Sequence, residues 1–140
     1  MNLLTITDNI ATVAATISGV RGASGQELDT IPVTPFVMVG LPRAFEVVPG
    51  DRQITNMAIP IWLYIERVSD QKRDLRVAYG FIPTFVTTFA LNGSLSGAVT
   101  HIYITAWDPT LALEVGGSTY WAIEFTATVT VHEQVTQGYN

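Results

Sequence analysis

Few side chains in this 140-residue chain could do chemistry, and none falls into a working constellation. His101 and His132 are the two histidines, placed in separate apolar-alternating stretches without partners at ligand spacing. A metal site converges three or four ligands, so both read as ordinary strand histidines. The absence of cysteine excludes disulfides, thiolate metal sites and thiol catalysis. Gly93-Ser94-Leu95-Ser96-Gly97 glances at a hydrolase nucleophile elbow, but its centre is Leu95, and it follows a helix and precedes a strand, the reverse of the required context. Gly19, Gly22 and Gly25 are spaced like a phosphate-cradling loop, yet no lysine-serine pair follows and no helix begins there. Asp70 and Asp74 could pair as acids on one helix face, but Lys72, Arg73 and Arg76 crowd the same turns and make surface ion pairs the simpler reading. Trp107-Asp108 occurs once and so signals no propeller blade. Tyr79, Phe81, Phe85 and Phe89 at helical spacing read as core and interface rather than as a cofactor box. The chain is expected to be no enzyme, with no catalytic, cofactor-binding or metal-binding residue.

Charge is distributed unevenly. Every lysine and arginine lies between Arg21 and Arg76, whereas Asp108, Glu114, Glu124 and Glu133 follow with no cation to offset them, within a net charge of −5. Nucleic-acid binders neutralise phosphates with basic side chains, so the second half cannot supply such a footprint. The cluster Arg67, Lys72, Arg73 and Arg76 is interleaved with Glu66, Asp70 and Asp74. It reads as a solvated or intersubunit helix face, with phosphate contact as the alternative.

The elements that would hold these residues follow from periodicity. Ile6, Ile10, Val13, Ala14 and Ile17 keep helical spacing, with Thr7 or Asp8 able to cap the start and Gly19 able to end it. Residues 19–31 are expected to be a flexible loop bounded by Pro32, and residues 33–41 an apolar strand with Pro35 near an edge or bulge. Residues 43–53 form an excursion with a short strand at 45–48. Residues 54–68 make a long strand in which Ile59, Ile61, Leu63 and Ile65 point inward and Trp62, Tyr64 and Glu66 the other way.

Ser69 caps a second helix with Asp70 in its first turn, and Leu75, Tyr79, Ile82, Val86 and Phe89 carry its period to Leu91. Gly80 and Pro83 fall inside, predicting a kink or break with Pro83 opening a second segment. Residues 92–97 turn, residues 99–107 form a strand, and Gly116-Gly117-Ser118 joins residues 111–115 to the closing strand in a hairpin. In that last strand Trp121, Ile123, Phe125, Ala127, Val129 and Val131 alternate with Ala122, Glu124, Thr126, Thr128, Thr130 and His132, giving an apolar face and a polar one. The order helix, strands, helix, strands predicts one α+β domain over residues 1–140. Its sheet is largely antiparallel (mixed), with two helices packed on one face and a closing β-hairpin.

Composition points to assembly. Hydrophobic residues make up 48% and charged residues only 14%, a balance suited to a chain that hides surface by oligomerising. The N-terminus lacks the basic region and apolar run of a signal peptide. The most membranous stretch, residues 77–91, contains Gly80, Pro83 and three threonines. It is also shorter than the roughly 20 residues needed to span a bilayer. A soluble protein made in a cytoplasm, with no membrane partner, is therefore expected.

Val33-Thr34-Pro35-Phe36-Val37-Met38-Val39, residues 59–66 followed by Ser69-Asp70, and residues 113–131 carry a likeness to a known family. Within the last, Val115-Gly116-Gly117-Ser118-Thr119-Tyr120-Trp121 running into an alternating strand is the most telling. The chain resembles the tail terminator (tail completion) proteins of long-tailed bacteriophages. The likeness covers nearly the whole chain and rests on layout rather than on an invariant motif; the Gly80–Pro83 interruption departs from it. It implies a structural virion protein made in the host cytoplasm: a hexameric ring in the neck that caps the tail tube, ends tube polymerisation and offers a face to the head-tail connector or head-closure protein. DNA would pass its axial channel without specific binding, eased by an acidic wall. On this reading the candidate ring or partner contacts are Arg43, Glu46, Asp51 and Arg52 of the excursion, Arg67, Asp70, Lys72, Arg73 and Arg76 of the mixed-charge cluster, and Thr126, Thr128 and Thr130 of the polar strand face. Two other readings stay open. One is a different neck or tail component, such as a head-closure ring or a tail-tube subunit. The other is a small ligand-binding α+β domain with a pocket between helices and sheet.

Overall fold

Three strands of fifteen to seventeen residues dominate the molecule, seen in a computed structural model that describes residues 1–69 and 75–134. In chain order the elements are α1 (Leu3–Ala15), β1 (Gly22–Ser24), β2 (Phe36–Val39), β3 (Arg43–Val48), β4 (Arg52–Arg67), α2 (Leu75–Leu91), a single 3₁₀ turn (Leu95–Gly97), β5 (His101–Val115) and β6 (Ser118–Gln134). The strands form one six-stranded mixed sheet in the order β1-β2-β4-β6-β5, with β3 also paired to β4. Every pairing is antiparallel except β1 with β2. At about 3.3 Å per residue the long strands run roughly 50 Å. The fold is α+β.

Alternation decides which face each residue takes. Ile59, Ile61 and Leu63 of β4 stand opposite Ala127, Phe125 and Ile123 of β6, and all six are fully buried. Both helices cover this face: Ile6, Ile10 and Ala14 of α1 and Ala78, Phe85 and Phe89 of α2 join the same core. Phe85 stacks on Phe125 with ring centroids 4.4 Å apart. The opposite face carries a smaller cluster of Phe36, Met38, Tyr64 and Ala122, covered by Leu28, Ile31 and Val33 of the segment before β2.

β2 and β3 lie end to end along one edge of β4. Phe36 to Val39 face Tyr64 to Ile61, and Arg43 to Val48 face Ala58 to Ile54. Between them Gly40 donates its N–H to the Pro60 carbonyl at 2.8 Å. A Cβ at Gly40 would come within 2.7 Å of the Pro60 and Trp62 side chains, so the strand can pass this close only as glycine. β5 forms the other edge. It is kinked out of register at Ile104/Ala106 and Asp108/Leu111 and carries Pro109, features that blunt a long unpaired edge.

Several local expectations are corrected. Asn2 caps α1, its Oδ1 accepting from the Thr5 N–H at 3.1 Å, so the helix starts well before Thr7 and Asp8. The helix closes at Thr16, ahead of Gly19, whose φ of +94° serves the following turn. The expected loop over residues 19–31 contains strand β1, because the Arg21 N–H reaches the Pro35 carbonyl and brings the chain beside β2. β2 itself covers only Phe36–Val39 of the expected 33–41, following a cis Thr34-Pro35 peptide.

In α2 the helix runs unbroken through Pro83. Pro83 is on the exposed side, and the carbonyl deprived of its donor is that of exposed Tyr79, which water can satisfy. The buried stripe is Ala78, Phe85 and Phe89, with Leu75 and Tyr79 left outside it. The start expected at Ser69-Asp70 falls against residues 70–74, outside the described residues. Finally, the strand expected at 99–107 and the hairpin limb at 111–115 are one strand, β5, continued through its two register shifts.

Candidate assembly surfaces

The polar face of the sheet is organised around Glu124. Its Oε1 accepts from Arg43 Nη2 at 3.0 Å and its Oε2 from Trp62 Nε1 at 3.2 Å. β6 presents Glu124, β4 presents its Cα partner Trp62, and Arg43 reaches across from the start of β3. A charge-assisted pair satisfying both carboxylate oxygens ties three strands together on this face. Arg43 is thereby committed within the chain rather than held out to a partner.

The threonines of β6 do not behave alike. Thr128 is exposed and its hydroxyl lies 2.9 Å from that of Thr105 on β5. Thr126 is half-buried. Thr130 is buried, and its hydroxyl donates to Asn56 Oδ1 at 2.7 Å. Thr130 is therefore an internal strand-to-strand link and not an open contact.

The other expected contact residues separate into two distant groups. Glu46, Asp51 and Arg52 are exposed on the β3–β4 hairpin, beside the end of β6, where Arg52 faces Gln134. Arg67 ends β4 opposite Tyr120, and its Nη2 donates to Ser118 Oγ at 2.6 Å. Arg76 is exposed in the first turn of α2. Fifteen residues of β4 separate Arg52 from Arg67, about 50 Å of extended chain, so no single surface gathers both groups. Asp70, Lys72 and Arg73 lie outside the described residues.

Apolar exposure marks surfaces that charge and threonine patterning missed. On β3, Phe45, Val47 and Val48 are about half exposed. Next to it, Leu4 of α1 is 65% exposed and Leu41 is 79% exposed. These two leucines, with Leu3, Val39 and Pro42, line an open cleft of about 360 Å³ between the start of α1, the end of β2 and residues 25–27. The sequence signal was present in Leu41-Pro42, at the end of the expected strand 33–41, and in Phe45, Val47 and Val48 of the short strand expected at 45–48, a stretch in which only the charged residues were named as contacts. A smaller hollow of about 190 Å³ lies on the β5–β6 side, lined by Trp107, Asp108, Glu124 and Thr126.

Ionisable chemistry is sparse. The Tyr64 hydroxyl is pushed up to about 12, chiefly by burial and secondarily by the negative charges of Glu27 and Glu124. His101 stands opposite Thr130, with its ring 5.6 Å from that of Tyr103, and the His132 N–H donates to Thr100 Oγ1. Among the described residues no three histidine or acidic side chains converge to hold a metal ion, and no helix is long and apolar enough to cross a membrane. Comparison with known proteins found no family model and no curated protein that matches the chain.

Proposed function

We propose that this chain is a structural assembly protein whose copies form a ring capping a bacteriophage tail tube, ending tube polymerisation and joining tail to head connector. The observation that carries the reading is the apolar exposure along one edge of the sheet, from Leu4 and Leu41 to Phe45, Val47 and Val48, in a chain with only 14% charged residues. Exposed apolar area of this kind is costly for a free monomer and is relieved by a protein partner. The layout that resembles tail terminators supplies the identity of the assembly. Its virion location, its tube and connector partners and its lack of enzymatic activity belong to the same proposal.

The test is genetic and visual. Tails assembled without this protein should have tubes of irregular or excessive length, and added protein should appear as a hexameric ring at tube ends by electron microscopy. Tubes of unchanged, uniform length in its absence would sink the reading. Filaments of the purified protein alone would instead identify a tube subunit. The 360 Å³ cleft favours a second reading, a small ligand-binding domain. That reading expects a monomer at all concentrations and a small molecule that raises its melting temperature.

A further inference from the structure

The β3–β4 hairpin and the cleft beside α1 both expose apolar side chains, and Arg52 of the hairpin is opposite in sign to Glu27 of the cleft. Glu46 and Asp51 of the hairpin are exposed acids that must stay at the solvent side of any contact. Exposed Phe45, Val47 and Val48 line the hairpin, and exposed Arg52 stands at its turn. The cleft is walled by Leu3, Leu4 and Leu41, and Glu27 sits in its lining. A second acid is close by, since the Asp8 carboxylate lies against Gly25, another lining residue. Among the described residues neither Arg52 nor Glu27 nor Asp8 has an ion-pair partner, in contrast to Arg43, which is held by Glu124.

Geometry forbids the hairpin from filling its own cleft. β3 leaves the rim at Pro42 and runs away from it along β4, so the turn at Gly50 is eight residues distant, about 25 Å of extended chain. The tip can enter a cleft only on another copy.

We propose that the β3–β4 hairpin of one copy seats in the cleft between α1 and β2 of the next, its apolar side chains against Leu4 and Leu41 and its Arg52 against Glu27. The occupant is a second copy of this chain. The contact joins two different patches, so it repeats head to tail and closes into a ring when the rotation permits. The inference rests on the ring reading and names the surfaces that make it. The apolar contact removes exposed area from water, and the charges at its rim fix orientation and speed encounter.

The chain has no cysteine, so introduced thiols are unique. Glu27→Cys protein mixed with Arg52→Cys protein and treated with a short bismaleimide should give a covalent dimer that neither variant gives alone, on free protein and on protein bound to tail tubes. The doubly substituted chain should give a ladder ending at the closed ring. In parallel, Glu27→Arg or Arg52→Glu should raise the concentration needed for assembly by about tenfold or more, because each places like charges together. The two reversals combined should restore assembly, which a generally damaged fold would not do; unchanged melting temperatures check the single variants. Copies that associate without the mixed crosslink, or charge reversals that do not rescue each other, overturn this contact and leave the ring reading standing. Absence of association both in solution and on tubes overturns the two together.

Discussion

Phe125 and Thr128 lie three positions apart on β6 and test its register most directly. Phe125 is fully buried and stacked on Phe85, whereas Thr128 is exposed and its hydroxyl lies 2.9 Å from that of Thr105. Phe125→Ala should cost about 3–5 kcal/mol through lost transfer energy and the cavity left behind, and Thr128→Ala about 1 kcal/mol or less. Equal losses in urea melts of unassembled protein would place the strand in the wrong register. Tyr64 offers a test by pH. Its folded-state value near 12 exceeds the ordinary 10, so the folded protein holds this proton more tightly than the unfolded chain does. Its contribution is complete below pH 10 and is lost as the pH rises from 10 towards 12. Melting temperatures across that interval should fall more steeply for the wild type than for Tyr64→Phe, and parallel curves would contradict the assignment.

At the level of elements, the β5–β6 hairpin depends on Gly116 and Gly117, both in the left-handed region with φ of 60° and 81°. The two differ in their surroundings. A Cβ at Gly116 would lie 2.7 Å from the Asp29 carbonyl oxygen, while one at Gly117 would meet nothing within 4 Å. Gly116→Ala combines backbone strain with a backbone clash and should cost about 2–3 kcal/mol, whereas Gly117→Asn, a residue that tolerates this conformation, should cost about 1 kcal/mol or less. Similar thermal shifts for the two variants would show that the segment before β2 does not pack on the hairpin turn. The unbroken α2 makes a related point. A proline is tolerated mid-helix when the carbonyl it leaves without a donor faces water, and Pro83 is on the exposed side of this helix.

At the scale of the molecule, Arg52 and Arg67 stand at opposite ends of β4, Arg43 is held by Glu124, and the charged residues after Arg76 are all acids apart from the two histidines. Binding of double-stranded DNA gains strength by releasing counterions from many phosphate contacts at once. The separation denies the protein such a footprint, so fluorescence anisotropy at physiological salt should show no binding below about 100 µM. Micromolar binding that weakens steeply with added salt would make the residues around Arg67 and Arg76 a phosphate site and remove the case for an inert channel.

Sequence alone determined what short-range periodicity can encode. The alternation from Ile59 to Ile65 and from Ile123 to Val131 identified two of the three long strands, β4 and β6, and their inward faces, because a side chain's face in a strand follows from its parity. The Gly116-Gly117 turn was equally legible, since few residues other than glycine accept two successive positive φ values. Tertiary structure alone decided the rest. Strand β1 exists because a hydrogen bond to Pro35 aligns three residues with β2, and no local pattern marks so short a pairing. Thr130 is buried, unlike Thr128 two places earlier, although β4 and β5 flank both; what distinguishes it is the Asn56 side chain that accepts from its hydroxyl, a cross-strand partner 74 residues away in the chain. The cleft, too, is assembled from three segments that share no sequence signal. It arises where α1, the end of β2 and the loop before it fail to fill the space between them, and residual space is a property of packing rather than of any one segment.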